Sequence, residues 1–251
     1  MHPEFSERQF EFNFNTEFVS KHRALLSTLP FLPTPRQEKN LGYDVRYDFE
    51  KGFKAKSLML QFKVSHFVKD WSIKNDYIYN CYNGAYFRFS IRPRHLSKQH
   101  KIMLELSRKG ESIFYCAPLF YRWPELVNFF RRQIVIDNSR FFDPIDIGVL
   151  PDDKQHHISY DPLGQFGFFH SKNKKPIKVL DIKKMLSPLE SKDIDEKYLF
   201  DFETSLKKLI KEEYKEIIEI PKEFKDVSLY YQINYLLQTY IDITWFLIPL
   251  E

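Results

Sequence analysis

Glycine is scarce, with 7 residues among 251. So few leave no glycine-rich loop to cradle a phosphate and no repeat built on tight turns. Cysteine is nearly absent. Cys81 and Cys116 stand alone, which excludes a disulfide framework and a thiolate zinc site. They read as small buried apolar residues in a reducing compartment. No run of clean apolar residues is long enough to cross a bilayer. The nearest, 227–250, is broken by Gln232, Asn234, Gln238 and Asp242, and it reads as buried within the protein. Residues 1–10 carry Glu4, Glu7 and Arg8 without an apolar centre, which is not the form of a secretory signal. The expectation is a cytoplasmic protein with no membrane partner.

What is present can build a core. Hydrophobic residues make up 43% and aromatic residues 17%, including 25 Phe and 15 Tyr. This is a folding composition and not a disordered one. The formal net charge is +4, a mild basic excess that suits a nucleic-acid partner without demanding one.

Periodicity predicts a helix over 15–29, ended by Pro30 and Pro33. A short helix follows, with Thr34 as cap, Pro35 in its first turn, Glu38 within it and Gly42 after it. Residues 43–49 and 57–64 read as strands joined across Lys51-Gly52. In the second, Leu58, Leu60, Phe62 and Val64 alternate with Met59, Gln61 and Lys63, so one face is apolar and the other ends in an amide and an ammonium. Further strands are expected over 85–91 and 112–120, with a helix over 98–109 stopped by Gly110. The short links between the first strands predict antiparallel hairpins. The step from 85 to 120 predicts a parallel crossover. The order is helix, three strands, helix, strand, in an α/β mixed sheet. Residues 158–169 read as a hairpin around Pro162 and Gly164, and 124–132 as a short helix. Residues 1–175 are expected to form this core with the hairpin at its edge. Residues 176–251 are expected as a mainly helical C-terminal extension packed on it, ending in a strand over 244–250.

One constellation can carry chemistry. Asp44 and the Gln61-x-Lys63 triplet fall on successive predicted strands, at one end of a sheet. Asp44 can hold Mg²⁺ or Mn²⁺ through a carboxylate oxygen, Gln61 through its carbonyl oxygen, and Glu38 can add a second acid. A water on such an ion becomes a nucleophile, and Lys63 offsets charge on a phosphate. Gln99 shares a helix face with Ile102, Met103 and Leu106, so it is a polar group on a packed face that needs a partner. That partner is either the strand-end site or a backbone group. His100 beside it can meet a phosphate.

These residues resemble the PD-(D/E)XK nuclease superfamily, the restriction-endonuclease-like fold. Its aspartate opens the second strand, as in Tyr43-Asp44-Val45. Its acid-x-lysine triplet sits on the third strand, as in Gln61-Phe62-Lys63, with the glutamine of the Mrr-like branch. Glu38 stands where that family carries an acid on the first helix, and Gln99 where it carries a polar group on the second. The likeness covers roughly residues 16–120. It implies metal-dependent hydrolysis of phosphodiester bonds in nucleic acid, DNA favoured, with a role in defence against phage or plasmids by analogy. The chain is also similar to a family of bacterial proteins of unassigned function at Gln99-His100, Ala117-Pro118-Leu119-Phe120 and Asp146-Ile147-Gly148.

Other signals compete. Arg88, Arg92, Arg94 and His95 form a basic cluster after the third strand. With His100 they make a candidate nucleic-acid track. His156 and His157 could act as acid and base in metal-free RNA cleavage, although adjacent strand residues face opposite ways. A third reading is a non-catalytic binding or assembly module that keeps the fold and meets a protein partner, or its own copy, through the aromatic C-terminal helix. In that module Lys63 would be paired to an acid and sealed.

Overall fold

The alternation around Gln61 forms strand β1 (Lys54–Phe62). The computed structural model of the chain describes residues 1–22, 54–70, 78, 80–82, 84–93, 95–215 and 229–249. Asp44, Glu38 and Arg94 lie outside the described residues, as does the strand expected over 43–49.

Before β1 comes helix α1 (Glu7–His22), which begins eight residues earlier than the periodicity of 15–29 indicated. Its Phe10 and Phe14 rings meet Phe62 edge-on, at centroid distances of 5.6 and 5.1 Å. Leu58, Leu60 and Phe62 are the buried strand face that receives them. Burying apolar rings and aliphatic chains contributes about 1.5–3 kcal/mol per side chain, so α1 is fixed by its aromatic stripe.

The chain continues through β2 (His66–Val68) and β3 (Tyr86–Ile91) into helix α2 (Gln99–Arg108). Gly110, at φ 86°, breaks that helix, because a left-handed residue cannot continue it. Then follow β4 (Ile113–Pro118), α3 (Trp123–Arg132), β5 (Ser139–Phe142) and α4 (Pro144–Ile147). The hairpin of β6 (His156–Tyr160) and β7 (Gly167–His170) leads to β8 (Lys174–Ile177). The remaining elements are α5 (Ile182–Leu186), β9 (Lys192–Asp193), α6 (Glu196–Tyr214), α7 (Leu229–Ile241) and β10 (Thr244–Pro249).

The strands form two sheets. The first is mixed, in the order β10-β1-β4-β5, with β9 also paired to β1. In it β1 and β4 are parallel, and β10 runs antiparallel to β1. The second sheet, β2-β3-β6-β7-β8, is antiparallel throughout. The α/β class and the mixed sheet agree with expectation, but the strand order differs. The strand at 86–91 does not lie beside 57–64. It belongs to the second sheet, and the parallel crossover runs from β1 through α2 to β4, with the β2–β3 hairpin inserted. The last strand was expected within the C-terminal extension, and it is the neighbour of β1.

The first sheet packs α1 on one side. On the other side α2, α6, α7 and the inner face of the second sheet share one core around Met59, Tyr115 and Trp245. Gln61 lies on this second side, among groups from α2 and α7.

Candidate active site

β1 and β4 end together, and β10 begins beside that end, with Leu60 opposite Thr244. Carboxyl ends of parallel strands in open α/β sheets are where polar side chains can be gathered around a ligand. Here the gathering begins with Gln61. It is 1% exposed, and its Nε2 donates to the backbone carbonyl and to Oδ2 of Asp242, both at 3.2 Å. Those two acceptors fix the amide's orientation. The Gln61 Oε1 therefore points the other way, buried and without a hydrogen-bond partner among the described residues. A buried amide oxygen left unsatisfied costs about 1–3 kcal/mol.

Asp242 has a reason to be there. It ends α7 in the left-handed conformation, at φ 52°, and its N–H returns to the Gln238 carbonyl. This is a helix cap that normally takes glycine. Gln99 supports the same corner, because its Nε2 donates to the Ile241 carbonyl. The partner required for that half-buried amide is thus a backbone group one residue from Asp242. Gln99 positions the corner and does not touch the cluster.

Lys63 follows the end of β1. Its N–H continues the parallel ladder to the Cys116 carbonyl, and its Nζ lies 3.4 Å from Glu7 Oε1, with side chains 12% and 35% exposed. The Glu7 carboxyl is pushed above the ordinary carboxylate range. Burial is the main cause and the Asp242 charge adds to it, while Lys63 and Gln61 act in the opposite direction. Glu7, Gln61, Lys63 and Asp242 therefore share one electrostatic neighbourhood. Beside it, Thr244 Oγ1 donates to Glu11 and accepts from Gln238 Nε2.

The donor set fits a hard divalent cation in part. It offers an unsatisfied amide oxygen, an exposed aspartate and a second carboxylate whose charge is disfavoured. Mg²⁺ needs only one or two carboxylates and keeps several waters. No group of three or more His, Cys, Asp or Glu poised for a metal occurs among the described residues.

Other expected site residues are placed elsewhere. His100 is buried, with Nδ1 2.9 Å from Tyr115 Oη and Nε2 2.8 Å from the Gly148 carbonyl. Burial lowers its pKa to about 4. Both nitrogens are engaged, so it serves the core and has none left for a phosphate. Arg92 is exposed beyond β3. Arg88 lies on the outer face of the second sheet, opposite Ser159 and His66. His156 and His157 do face opposite ways. His156 packs inward on Phe169 with Asp152 Oδ1 3.4 Å away, and His157 points outward to Ser90. They cannot share one substrate.

Two members of the cluster were not singled out in the sequence. Glu7 precedes the expected start of its helix. Asp242 was read as a polar break in an apolar run. Its signal was present, since Gln238 and Asp242 are one helical turn apart, where the helix must stop without glycine. No protein-family model, curated protein or solved structure matches the chain.

Proposed function

We propose that the chain hydrolyses phosphodiester bonds of nucleic acid, DNA favoured, at the cluster of Glu7, Gln61, Lys63 and Asp242, with Mg²⁺ or Mn²⁺ bound there. The observation that carries this reading is the gathering of Glu7, Gln61, Lys63 and Asp242 at the end of a parallel strand pair. Asp242 stands two residues before β10, the strand antiparallel to β1, and supplies the carboxylate that the restriction-endonuclease-like resemblance asks of Asp44. An acid on the first helix is then supplied by Glu7 in place of Glu38.

Asp242 and Glu7 would hold the ion, and the Gln61 oxygen would join them on turning its amide. A bound divalent ion supplies an activated water and offsets phosphate charge. Lys63 carries a fixed positive charge toward the scissile phosphate. Gln61 orients the Asp242 carboxylate, and Gln99 holds the corner that bears it. A role in defence against phage or plasmids fits a nuclease of this kind.

One observation favours a second reading. Lys63 is paired with Glu7 and largely covered, as a non-catalytic module would have it. The two readings separate in a cleavage assay on double-stranded DNA, single-stranded DNA and RNA with Mg²⁺ or Mn²⁺. The nuclease reading expects cleavage by the wild type and a loss of about 100-fold or more in Asp242→Asn and Lys63→Ala. Equal cutting by all three would remove the site. Loss in Asp44→Ala with none in Asp242→Asn would return the role to Asp44. Nucleic-acid binding without cleavage would favour the module.

A further inference from the structure

The outer face of the second sheet carries an arginine, a lysine and three imidazoles that the cluster above does not use. The antiparallel register fixes the set. His66 stands opposite Arg88, and Arg88 opposite Ser159. In the next row Ser90 stands opposite His157, His157 opposite His170, and His170 opposite Lys174. Directly paired residues share a face. Phe87, Phe89 and Ile158 take the inner face, so this one looks away from the core.

Several of its hydrogen bonds link members of the face to one another or to Tyr82. Ser159 Oγ is 2.6 Å from His170 Nε2 and 2.7 Å from Tyr82 Oη. His157 Nδ1 is 3.1 Å from Ser90 Oγ. Arg88, half-buried, makes no hydrogen bond or ion pair with any described residue. A half-buried guanidinium with no anion among the described residues is unusual, because burying a charge is costly unless it is paired.

We propose that this face binds a phosphoryl anion, with Arg88 and His157 as its principal donors and His66 and His170 flanking them. Arginine beside imidazoles offers planar N–H donors to phosphate oxygens. The shared ligand chemistry is the phosphate group, borne by a phosphodiester backbone or by a small phosphate.

The charges agree. His157 and His170 are held down to about 4, first by burial and then by surrounding positive charge. For His157 that charge comes from Arg88, His156 and His66, and for His170 from His157, Lys174 and Arg88. His66 is lowered by burial, then by His2, Arg88 and the N-terminus. Cys81 lies 3.8 Å from Lys174. Asp161, the acid felt at Tyr82, accepts from Leu163, Gln165 and Phe166 N–H groups in the β6–β7 turn. A bound anion would raise the imidazole pKa values, so binding must strengthen as pH falls toward them.

The proposal is independent of the nuclease reading, and its test uses full-length protein and the Asp242→Asn variant side by side. The probes are dimethyl phosphate, whose charge is constant between pH 5 and 8, inorganic phosphate, and a short oligonucleotide. Histidine side-chain NMR follows the imidazole midpoints at constant ionic strength. The expected result is that dimethyl phosphate raises the midpoints of His157 and His66, and that its affinity weakens up to about tenfold per pH unit where one imidazole must protonate. Arg88→Gln should abolish the response, and Asp242→Asn should leave it intact. If Arg88→Gln does not fold, Lys174→Ala is expected to weaken the response and shift the His170 midpoint upward. Stronger binding of the oligonucleotide than of inorganic phosphate assigns the face to nucleic acid, and the reverse assigns it to a small phosphate. Imidazole midpoints that no probe moves, or that move equally with chloride, would overturn the proposal.

Discussion

Asp242 carries a conformational cost that its neighbours do not relieve. It sits at φ 52°, a conformation that glycine adopts freely and that aspartate tolerates better than most residues with a Cβ. Its backbone bonds to Gln238 and Gln61 do not need the carboxylate. Glycine at this cap would therefore serve the fold at least as well, and on the proposed reading the carboxylate is what distinguishes the aspartate. Asp242→Gly is expected to change stability by less than about 1 kcal/mol, while abolishing cleavage. Denaturant unfolding beside the cleavage assay checks both. A loss of several kcal/mol would make Asp242 a structural residue. Glu7 makes the matching case in pH. Its carboxyl is raised in the folded state by burial and by Asp242, so the folded protein binds that proton more tightly than the unfolded chain. Its ionised form then costs stability above the folded pKa, and the cost fades as pH falls to the ordinary carboxylate value. Glu7→Gln is expected to melt higher than wild type at pH 7 and equally at pH 4, and added Mg²⁺ should raise the melting temperature of wild type more than that of the variant. A lower melting temperature for the variant at pH 7 would mean that the Lys63 pair outweighs burial.

Elements were legible wherever one face had to be apolar. Leu58, Leu60 and Phe62 announced β1, and Gly110 announced the end of α2, because a strand's period and a left-handed stop are local facts. The hairpin around Pro162 and Gly164 was legible for the same reason. Pairing was not local. Phe87, Phe89 and Ile91 alternate as a strand of either sheet would, and nothing in that alternation says that the neighbour is His156–Tyr160 and not β1. Connection length misled as well. A hairpin was expected between 57–64 and 85–91, yet β2 lies in the link between them and 86–91 leaves the first sheet entirely, and α2 returns the chain to it. The candidate site was legible by half. Gln61 and Lys63 could be named, because an amide and an ammonium ending a strand's polar face need partners. Glu7 and Asp242 could not, because their nearness to Gln61 depends on α1 crossing the sheet end and on β10 pairing with β1. Gln99 was recognised as needing a partner, and the partner proved to be the backbone of a helix more than 100 residues away.

At the scale of the molecule, the chain's two ends meet at β1. α1 covers one face of that strand, and β10 completes its edge through six paired positions, from Ala55–Pro249 to Leu60–Thr244. The C-terminal residues are therefore part of the first sheet, and the site is assembled only when both ends are in place. Trp245, Phe246, Leu247 and Ile248 are all buried. At about 1.5–3 kcal/mol for each such side chain, their removal approaches the whole stability of a typical domain, about 5–15 kcal/mol. Removal would also leave an unpaired edge on β1. A chain ending at residue 243 is thus expected to lose cooperative unfolding, where a peripheral extension would leave it intact. Calorimetry and the dispersion of a proton–nitrogen NMR spectrum decide the matter. A sharp transition with dispersed resonances in the truncated chain would mean that the preceding residues hold the fold without β10. If the transition is lost, adding the 244–251 peptide in trans should restore it in part, because β10 brings its own hydrogen-bonding edge and buried aromatic rings to the strand that carries Gln61.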